Sequence, residues 1–358
     1  MNRVLLTVSG NIDQDIENQI AKGARPTADY IAIARKINAD LIDYKLAQEL
    51  AGWFGRVLEW IGGRNLVLAW CCFLKRKDYQ VIFTDGEQIG IPFAILLKFL
   101  GFSRRPRHIM IAHILSVRKK MLFFDWLSIA DYIDTFIVYA TWQKQFIEAR
   151  WKVPAERVVF TPFMVDAVFF SQQKVKGEVS PKVKEEYRPP MICAVGLEFR
   201  DYPTLIQAVK GLDVQVVIAA ASPWSKRKDS TSNQEIPENV IIQRFSQFEL
   251  RELYAASRFM VMPLYNVNFQ AGVTAILEAM AMERAVICSR TPGQTDVIIQ
   301  DETGVYVTPE NPAELRLAIE RLLADPEMAE AMGKKGRQRV IDMMSLECYV
   351  NRLADLAG

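Results

Sequence analysis

Histidine is scarce, with only His108 and His113 in 358 residues, and His108, at a strand start beside Arg105 and Arg107, is expected at the surface. The five cysteines, Cys71, Cys72, Cys193, Cys288 and Cys348, are odd in number and mostly sit inside apolar runs. That pattern excludes a disulfide framework and reads as buried free thiols in a reducing compartment. No Cys or His stands at ligand spacing from the Cys71-Cys72 pair, so the pair is not a metal site. No Asp-x-Asp pair stands at a strand end to hold an ion. Neither sign of charge dominates: 44 Lys and Arg face 42 Asp and Glu, for a net +2, and no nucleic-acid footprint follows. The longest apolar run, residues 66–74, falls short of the ~18 residues of a spanning helix. The first nine residues read as a strand rather than a signal peptide, so a cytoplasmic location is expected. A Gly-x-Gly-x-x-Gly fingerprint is absent, and so is any fixed-period repeat.

What is present is alternation. Residues 4–8, 40–44, 79–84, 108–112, 136–139 and 158–160 read as short buried strands, with helical stretches between several of them. The first strand ends in Ser9-Gly10-Asn11, a turn that suits a doubly wound domain. Residues 171–190, SQQKVKGEVSPKVKEEYRPP, are polar and carry proline without an apolar period. They read as a linker. The alternation then resumes through strands near 192–195, 214–220, 240–243, 259–264, 286–288 and 305–307, and the chain closes in helices. At this length two domains are expected. Residues 1–170 form one, 191–340 the other, and 341–358 are a C-terminal helix returning to the first. The fold class is α/β, two Rossmann-like doubly wound domains.

Residues 265–298 carry the clearest chemistry. A buried strand runs into a polar loop with Asn266, Asn268, Gln270 and Gly272, and Thr274 then opens a helix. Ligands sit in loops after the carboxyl ends of parallel strands. Gly272 permits close backbone approach, and free amides at the helix start favour an anionic group. Glu278 lies in apolar company and needs a partner. From spacing alone, a solvated helix face or an acid complementing the dipole is the favoured reading.

Glu278-Ala279-Met280-Ala281 followed by Ala285-Val286-Ile287 resembles the donor site of retaining glycosyltransferases of family 4 (glycosyl transferases group 1). Further likenesses are Val195-Gly196 with residues 200–205, residues 250–263, Thr303-Gly304-Val305 with Pro309, and residues 318–326. Residues 158–166 with Phe169 resemble the close of that family's acceptor domain. The resemblance covers nearly all of the second half and only the outline of the first 150 residues. It implies the GT-B fold, two Rossmann-like domains facing each other across a cleft. It also implies transfer from a nucleoside diphosphate sugar as co-substrate, with retention and with neither metal nor cofactor.

The resemblance assigns roles position by position. Glu278 falls where the family binds the ribose hydroxyls. The family's first Glu of Glu-x7-Glu falls on Gln270, an uncharged residue still able to hydrogen-bond a sugar hydroxyl. Ala271, Gly272, Val273 and Thr274 supply amides to the donor, and Gly10 lies in the corresponding turn of the first half. Arg200 falls where a basic residue holds the diphosphate, a group its planar fork suits. The family's other common cation, directly after the Gly, is Leu197 here. His113, at a strand's carboxyl end, falls where a His contacts the donor sugar. Asp85 and Glu87 flank Gly86 at another strand end and read either as acceptor-binding acids or as helix caps. Asp296 stabilises its loop.

Two first-half segments mix large aromatics with cations: residues 53–77, with Trp53, Trp60 and Trp70, and residues 118–127, where Arg118, Lys119 and Lys120 precede Phe123, Phe124 and Trp126. Arg104, Arg105 and Arg107 add a third basic cluster. Core packing is the favoured reading of residues 53–77. The competing reading is peripheral contact with an anionic membrane and an apolar or lipid acceptor. Two rival functions stand beside the transferase: a nucleotide-sugar epimerase of the same fold, which needs poised carboxylates, and a non-catalytic sugar-nucleotide-binding protein, suggested by Gln270 and Leu197.

Overall fold

Runs of four or five apolar residues become strands buried on both faces, which is why they show no polar alternation. The structure, a computed structural model, describes residues 3–101, 105–175, 190–220 and 236–358. Along the chain run β1 (Val4–Thr7), α1 (Ile16–Ala21), α2 (Asp29–Ile37), β2 (Asp40–Ile42), α3 (Tyr44–Lys75), β3 (Val81–Thr84), α4 (Glu87–Leu100), β4 (Arg107–Ala112), α5 (Arg118–Leu127), β5 (Thr135–Val138), α6 (Thr141–Trp151) and β6 (Val158–Phe160). There follow β7 (Met191–Val195), α7 (Tyr202–Val209), β8 (Gln215–Ala219), β9 (Val240–Gln243), α8 (Gln247–Ala256), β10 (Phe259–Met262), α9 (Val273–Ala281), β11 (Ala285–Ser289), β12 (Gly304–Val307), α10 (Pro312–Ala324), α11 (Pro326–Arg339) and α12 (Leu346–Ala357). The chain divides into two units: 1–18 with 27–161 and 350–358, and 19–26 with 162–349.

Each unit has one six-stranded sheet. The first has order β2-β1-β3-β4-β5-β6, the second β12-β11-β10-β7-β8-β9, and every pairing is parallel. Both are doubly wound. In the first, the chain leaves β1 for β2 on one side and returns to β3 on the other. In the second it leaves β7 for β8 and returns to β10. Those reversals open crevices outside the carboxyl ends of β1 and β3, and of β7 and β10.

The cores follow the pleat. In β10, Met260 and Met262 pack with Ile276, Leu277 and Met280 of α9 on one face, while Phe259 and Val261 pack with Ile206 of α7 and Ile319 of α10 on the other. In the first unit Leu5 and Ile82 pack against Leu68 and Cys72 of α3 and Phe93 of α4. All five cysteines are unpaired, and all but Cys348 are buried. Arg352 of α12 donates to Thr161 Oγ1 at 2.7 Å within the first unit.

Three expectations are corrected. The second strand stops at Ile42 because Asp43 caps α3, accepting from Leu46 N at 2.8 Å. His108, expected at the surface, is wholly buried: its Nδ1 donates to Tyr132 O and its Nε2 accepts from Thr84 Oγ1, each at 3.0 Å. Burial pushes its pKa down to about 4. Core packing of residues 53–77 holds only in part. Val67, Leu68, Cys71 and Cys72 are core, but Trp53 and Trp60 stand 78% and 88% exposed. Arg104, residues 176–189 of the linker and residues 221–235 lie outside the described residues.

Ile287, at the centre of β11, is completely buried. Ile287→Ala is expected to cost about 2–5 kcal/mol, read by equilibrium denaturation. A loss below about 1 kcal/mol would contradict the packing described for that face.

Candidate active site

In the second unit the loop after β7 is stitched to the loop after β10. Asp201 N donates to Pro263 O at 3.0 Å, Tyr265 N to Phe199 O at 3.1 Å, and Arg200 and Leu264 form an antiparallel bridge. The Phe199 and Phe269 rings meet edge-on at 5.0 Å. The two chain segments that diverge at the sheet reversal are therefore joined just above it.

Arg200 is the brace between them. Its Nε donates to Val195 O at 2.9 Å and its Nη1 to Glu198 O at 2.6 Å. Its Nη2 reaches the backbone of Gly196 and Gly272 so closely that a Cβ at Gly272 would meet Nη2 at 3.0 Å and Met262 Sδ at 2.7 Å. Gly272 also has φ +78°, where a side chain is strained. Arg200 was expected to stand ready for a diphosphate. It is instead buried and anchored to carbonyls, so its charge acts from beneath the loop. Burial lowers its pKa without discharging an arginine.

Gly272 caps α9 through its backbone, with no side-chain cap. The first amides of α9, at Val273 and Thr274, face the loop with the positive end of the helix dipole. Thr274 is exposed, and Glu278 lies one turn deeper on the same helix face. Glu278 is buried, and Tyr254 donates to its Oε2 at 2.8 Å. Desolvation raises its carboxyl to about 7, opposed by the Tyr254 hydrogen bond. Burial and the neighbouring acid push the Tyr254 phenol well above its usual value, so it remains a donor.

Gln270 Oε1 is buried with no hydrogen-bond partner, an acceptor held ready beside the amides. Ala271 is fixed from below, because Gln294 Nε2 donates to its carbonyl. Gln294 is wholly buried and its own carbonyl accepts from Tyr306 OH. Gln294, Tyr254 and Tyr306 were missed by sequence reasoning. A Gln in a polar turn and tyrosines inside ordinary elements carry no local signal of this contact.

In the first unit the candidates gather at the carboxyl ends of β1, β3 and β4. Asp85 Oδ1 accepts from Thr7 Oγ1 at 2.5 Å, and Oδ2 accepts from Ser9 N at 2.5 Å and from Ser9 Oγ. Glu87 is buried and accepts from His113 N at 2.8 Å, Ile114 N at 3.2 Å and Lys120 Nζ at 2.6 Å. Both acids were offered as acceptor ligands, and both are occupied with holding loops. Desolvation raises the Glu87 carboxyl, but His113, Lys120 and its hydrogen bonds outweigh that and leave its pKa lowered. His113 keeps an exposed ring at the end of β4, donating from Nε2 to Asp85 O at 3.0 Å. Gly10 N donates to Val8 O at 2.8 Å, Gly10 O accepts from Tyr44 N at 3.0 Å, and a Cβ on Gly10 would meet nothing within 4 Å.

Two parallel doubly wound units define the GT-B class, and solved structures share it. Sucrose-phosphate synthase from Thermosynechococcus elongatus superimposes with TM-score 0.72 over 99% of this chain and 98% of its own, at 17% identity. Anabaena HepE, solved with UDP-glucose, gives 0.70 over 99% of each chain at 12% identity. Residues 179–339 match the model of the glycosyl transferases group 1 family. Among curated relatives, the alpha-D-kanosaminyltransferase of Streptomyces kanamyceticus is 27% identical over 57% of this chain and 55% of its own. The GDP-mannose-dependent alpha-(1-6)-phosphatidylinositol monomannoside mannosyltransferase of Mycolicibacterium smegmatis is 27% identical over 49% and 50%. The matches span between 19% and 55% of the length of the curated relatives.

Two predictions follow from these contacts. Lys120→Met strands the buried Glu87 carboxylate and is expected to cost about 3–5 kcal/mol, with Glu87→Gln/Lys120→Met recovering much of it. Glu278 has its pKa raised by folding, so its contribution to stability is full below the unfolded value and declines as pH rises through about 7. The melting temperature of Glu278→Gln should therefore gain on wild type between about pH 4.5 and pH 7, where the folded acid holds a proton that the unfolded one has lost. Parallel pH curves for the two proteins would show that the acid is not buried as described.

Proposed function

We propose that the chain is a retaining, metal-independent glycosyltransferase, moving a sugar from a nucleoside diphosphate sugar to an acceptor hydroxyl. The observation that carries this reading is the Gln270–Thr274 loop at the reversal of the second sheet, with Arg200 behind it and Glu278 one turn below. The family and the fold support it, and HepE was solved with UDP-glucose. On this reading Glu278 accepts from the ribose hydroxyls, and the amides of Ala271 to Thr274 with the start of α9 stabilise the leaving diphosphate. Arg200 adds positive potential through the Gly272 backbone. Gln270 Oε1, with no partner inside the fold, accepts from a hydroxyl of the transferred sugar. The acceptor oxygen attacks from the face the diphosphate leaves, and the diphosphate takes its proton. The protein's share is position and electrostatics.

The acceptor is a lipid or another apolar alcohol, reached from the inner face of an anionic membrane by the first unit. Exposure of Trp53, Trp60 and Trp126 supports this. So does the Mycolicibacterium relative, a phosphatidylinositol monomannoside mannosyltransferase.

Turnover of a panel of UDP- and GDP-sugars, with the product anomer read by NMR, tests the reading. Expected are release of nucleoside diphosphate, a product of unchanged anomeric configuration, and no loss with EDTA. Epimerised donor without transfer, or no turnover of any donor, would sink it. Glu278→Ala should weaken nucleotide binding by about 1–3 kcal/mol with the fold intact. Gln270→Glu should alter turnover or the preferred sugar, and a variant identical to wild type would remove Gln270 from the site.

A further inference from the structure

Helix α3 is a single 32-residue element by hydrogen bonding, yet Gly52 (φ 56°, ψ −136°) and Gly63 (φ 72°, ψ −178°) break its path. By length and composition it is apolar enough to cross a membrane, but only a third of its apolar window is buried. The ten residues from Trp53 to Gly62, between the breaks, reach ~15 Å as helix, about half of a hydrocarbon core. They suit a surface-lying element instead. Leu50, Val57 and Ile61 join Trp53 and Trp60 in facing outward. Phe54, meeting both Trp53 and Trp70 ring to ring, ties this shoulder to the body of the unit.

Beside the shoulder lies a cavity of about 290 Å³, near the lower bound of about 300 Å³ for small-ligand clefts. Asn11, Tyr44, Gln48, Glu49, Glu59 and Arg64 line it. Asp43 sets its geometry, accepting from Ile12 N at 2.9 Å and Leu46 N at 2.8 Å, so the β1 turn and the start of α3 are held together. Tyr44 OH donates to Asn65 Oδ1 at 2.6 Å, and Arg64 pairs with Glu59 at 3.1 Å. Tyr44 N donates to Gly10 O at 3.0 Å and Asn11 lines the cavity, which places it beside the turn after β1, at the reversal of the first sheet. Lys45 and Arg64 balance Glu49 and Glu59 at its wall, so it selects hydroxyls rather than a net anion. Over the whole helix, four cations (Lys45, Arg56, Arg64, Lys75) face two acids, and Arg76 and Lys77 follow. That excess complements an anionic surface.

We infer that α3 is the site of a membrane-borne acceptor: the cavity takes the hydroxyl-rich headgroup of a glycolipid while the shoulder from Leu50 to Ile61 rests in the bilayer. The inference rests on the transferase reading and deepens it. It moves the acceptor site away from Asp85 and Glu87, whose oxygens the fold already uses, to side chains that line open space.

Flotation of the full chain with phosphatidylcholine–phosphatidylglycerol vesicles tests the shoulder, and transfer to monoglucosyl diacylglycerol in the same vesicles tests the cavity. Wild type should float at low salt. Trp53→Ser/Trp60→Ser, altering exposed residues only, should remain in the dense fraction with its nucleotide affinity unchanged. Gln48→Ala/Glu49→Ala should float normally but show about a tenfold higher KM for the glycolipid, the scale of one or two lost hydrogen bonds. Soluble methyl glucoside should be at least about tenfold poorer than the vesicle-borne lipid in kcat/KM. The inference is overturned if wild type does not float, or if the tryptophan variant floats equally. It is also overturned if a wild-type dimer becomes monomeric in that variant, which would make the shoulder a contact between copies. An unchanged KM in the cavity variant, or equal use of methyl glucoside, removes the headgroup site. Flotation needs no donor, so a failed transferase reading shows itself separately, as absent turnover of every nucleotide sugar.

Discussion

The packing of one guanidinium against two glycines organises the second unit. Arg200 fills the space under Gly196 and Gly272, and its donors are satisfied by Val195 O and Glu198 O. A Cβ at Gly272 would meet both that group and Met262. With the loop pressed down onto the end of the sheet, α9 begins without a side-chain cap, and its amides are left for a ligand. A buried cation beneath such amides strengthens their field, because little water intervenes to screen it. The hydrogen bonds joining 199–201 to 263–265 then keep the reversal from opening.

Glu278 shows the same economy from the other side. A carboxyl sunk among Ala275, Ile276, Leu277 and Ala279 is costly to ionise, and Tyr254 alone lowers that cost among the contacts described for it. Its pKa near 7 means that a hydroxyl-donating ligand arriving at the exposed start of α9 supplies the partner that ionisation lacks. Affinity and ionisation are then linked, as they must be when a ligand prefers one protonation state.

The first unit uses its charges differently. Asp85 and Glu87 stand where acids at strand ends often meet ligands, yet each is consumed in binding backbone amides and hydroxyls of neighbouring turns. Other polar groups face open space along α3, from Tyr44 to Arg64. Hydrogen-bonded turns at β1, β3 and β4 and an exposed helix divide the work of shaping that unit.

Twelve short apolar runs were enough to read two six-stranded, doubly wound sheets, because strands buried on both faces must be apolar throughout. The Glu278-Ala279-Met280-Ala281 stretch, with the strand after it, was likewise legible, since that chemistry is local to one helix and its loop. What only the tertiary structure decided concerns partners distant in sequence. Whether Arg200 reaches outward or lies beneath Gly272, far along the chain, depends on how β7 and β10 lie together. The burial of His108 depends on Thr84 and Tyr132 closing over it. The exposure of Trp53 and Trp60 depends on two glycines turning left-handed inside a helix whose composition alone reads as core. Composition reports how much surface a segment wants to bury. It cannot report which of its faces finds a neighbour, because that neighbour is supplied by chain far away.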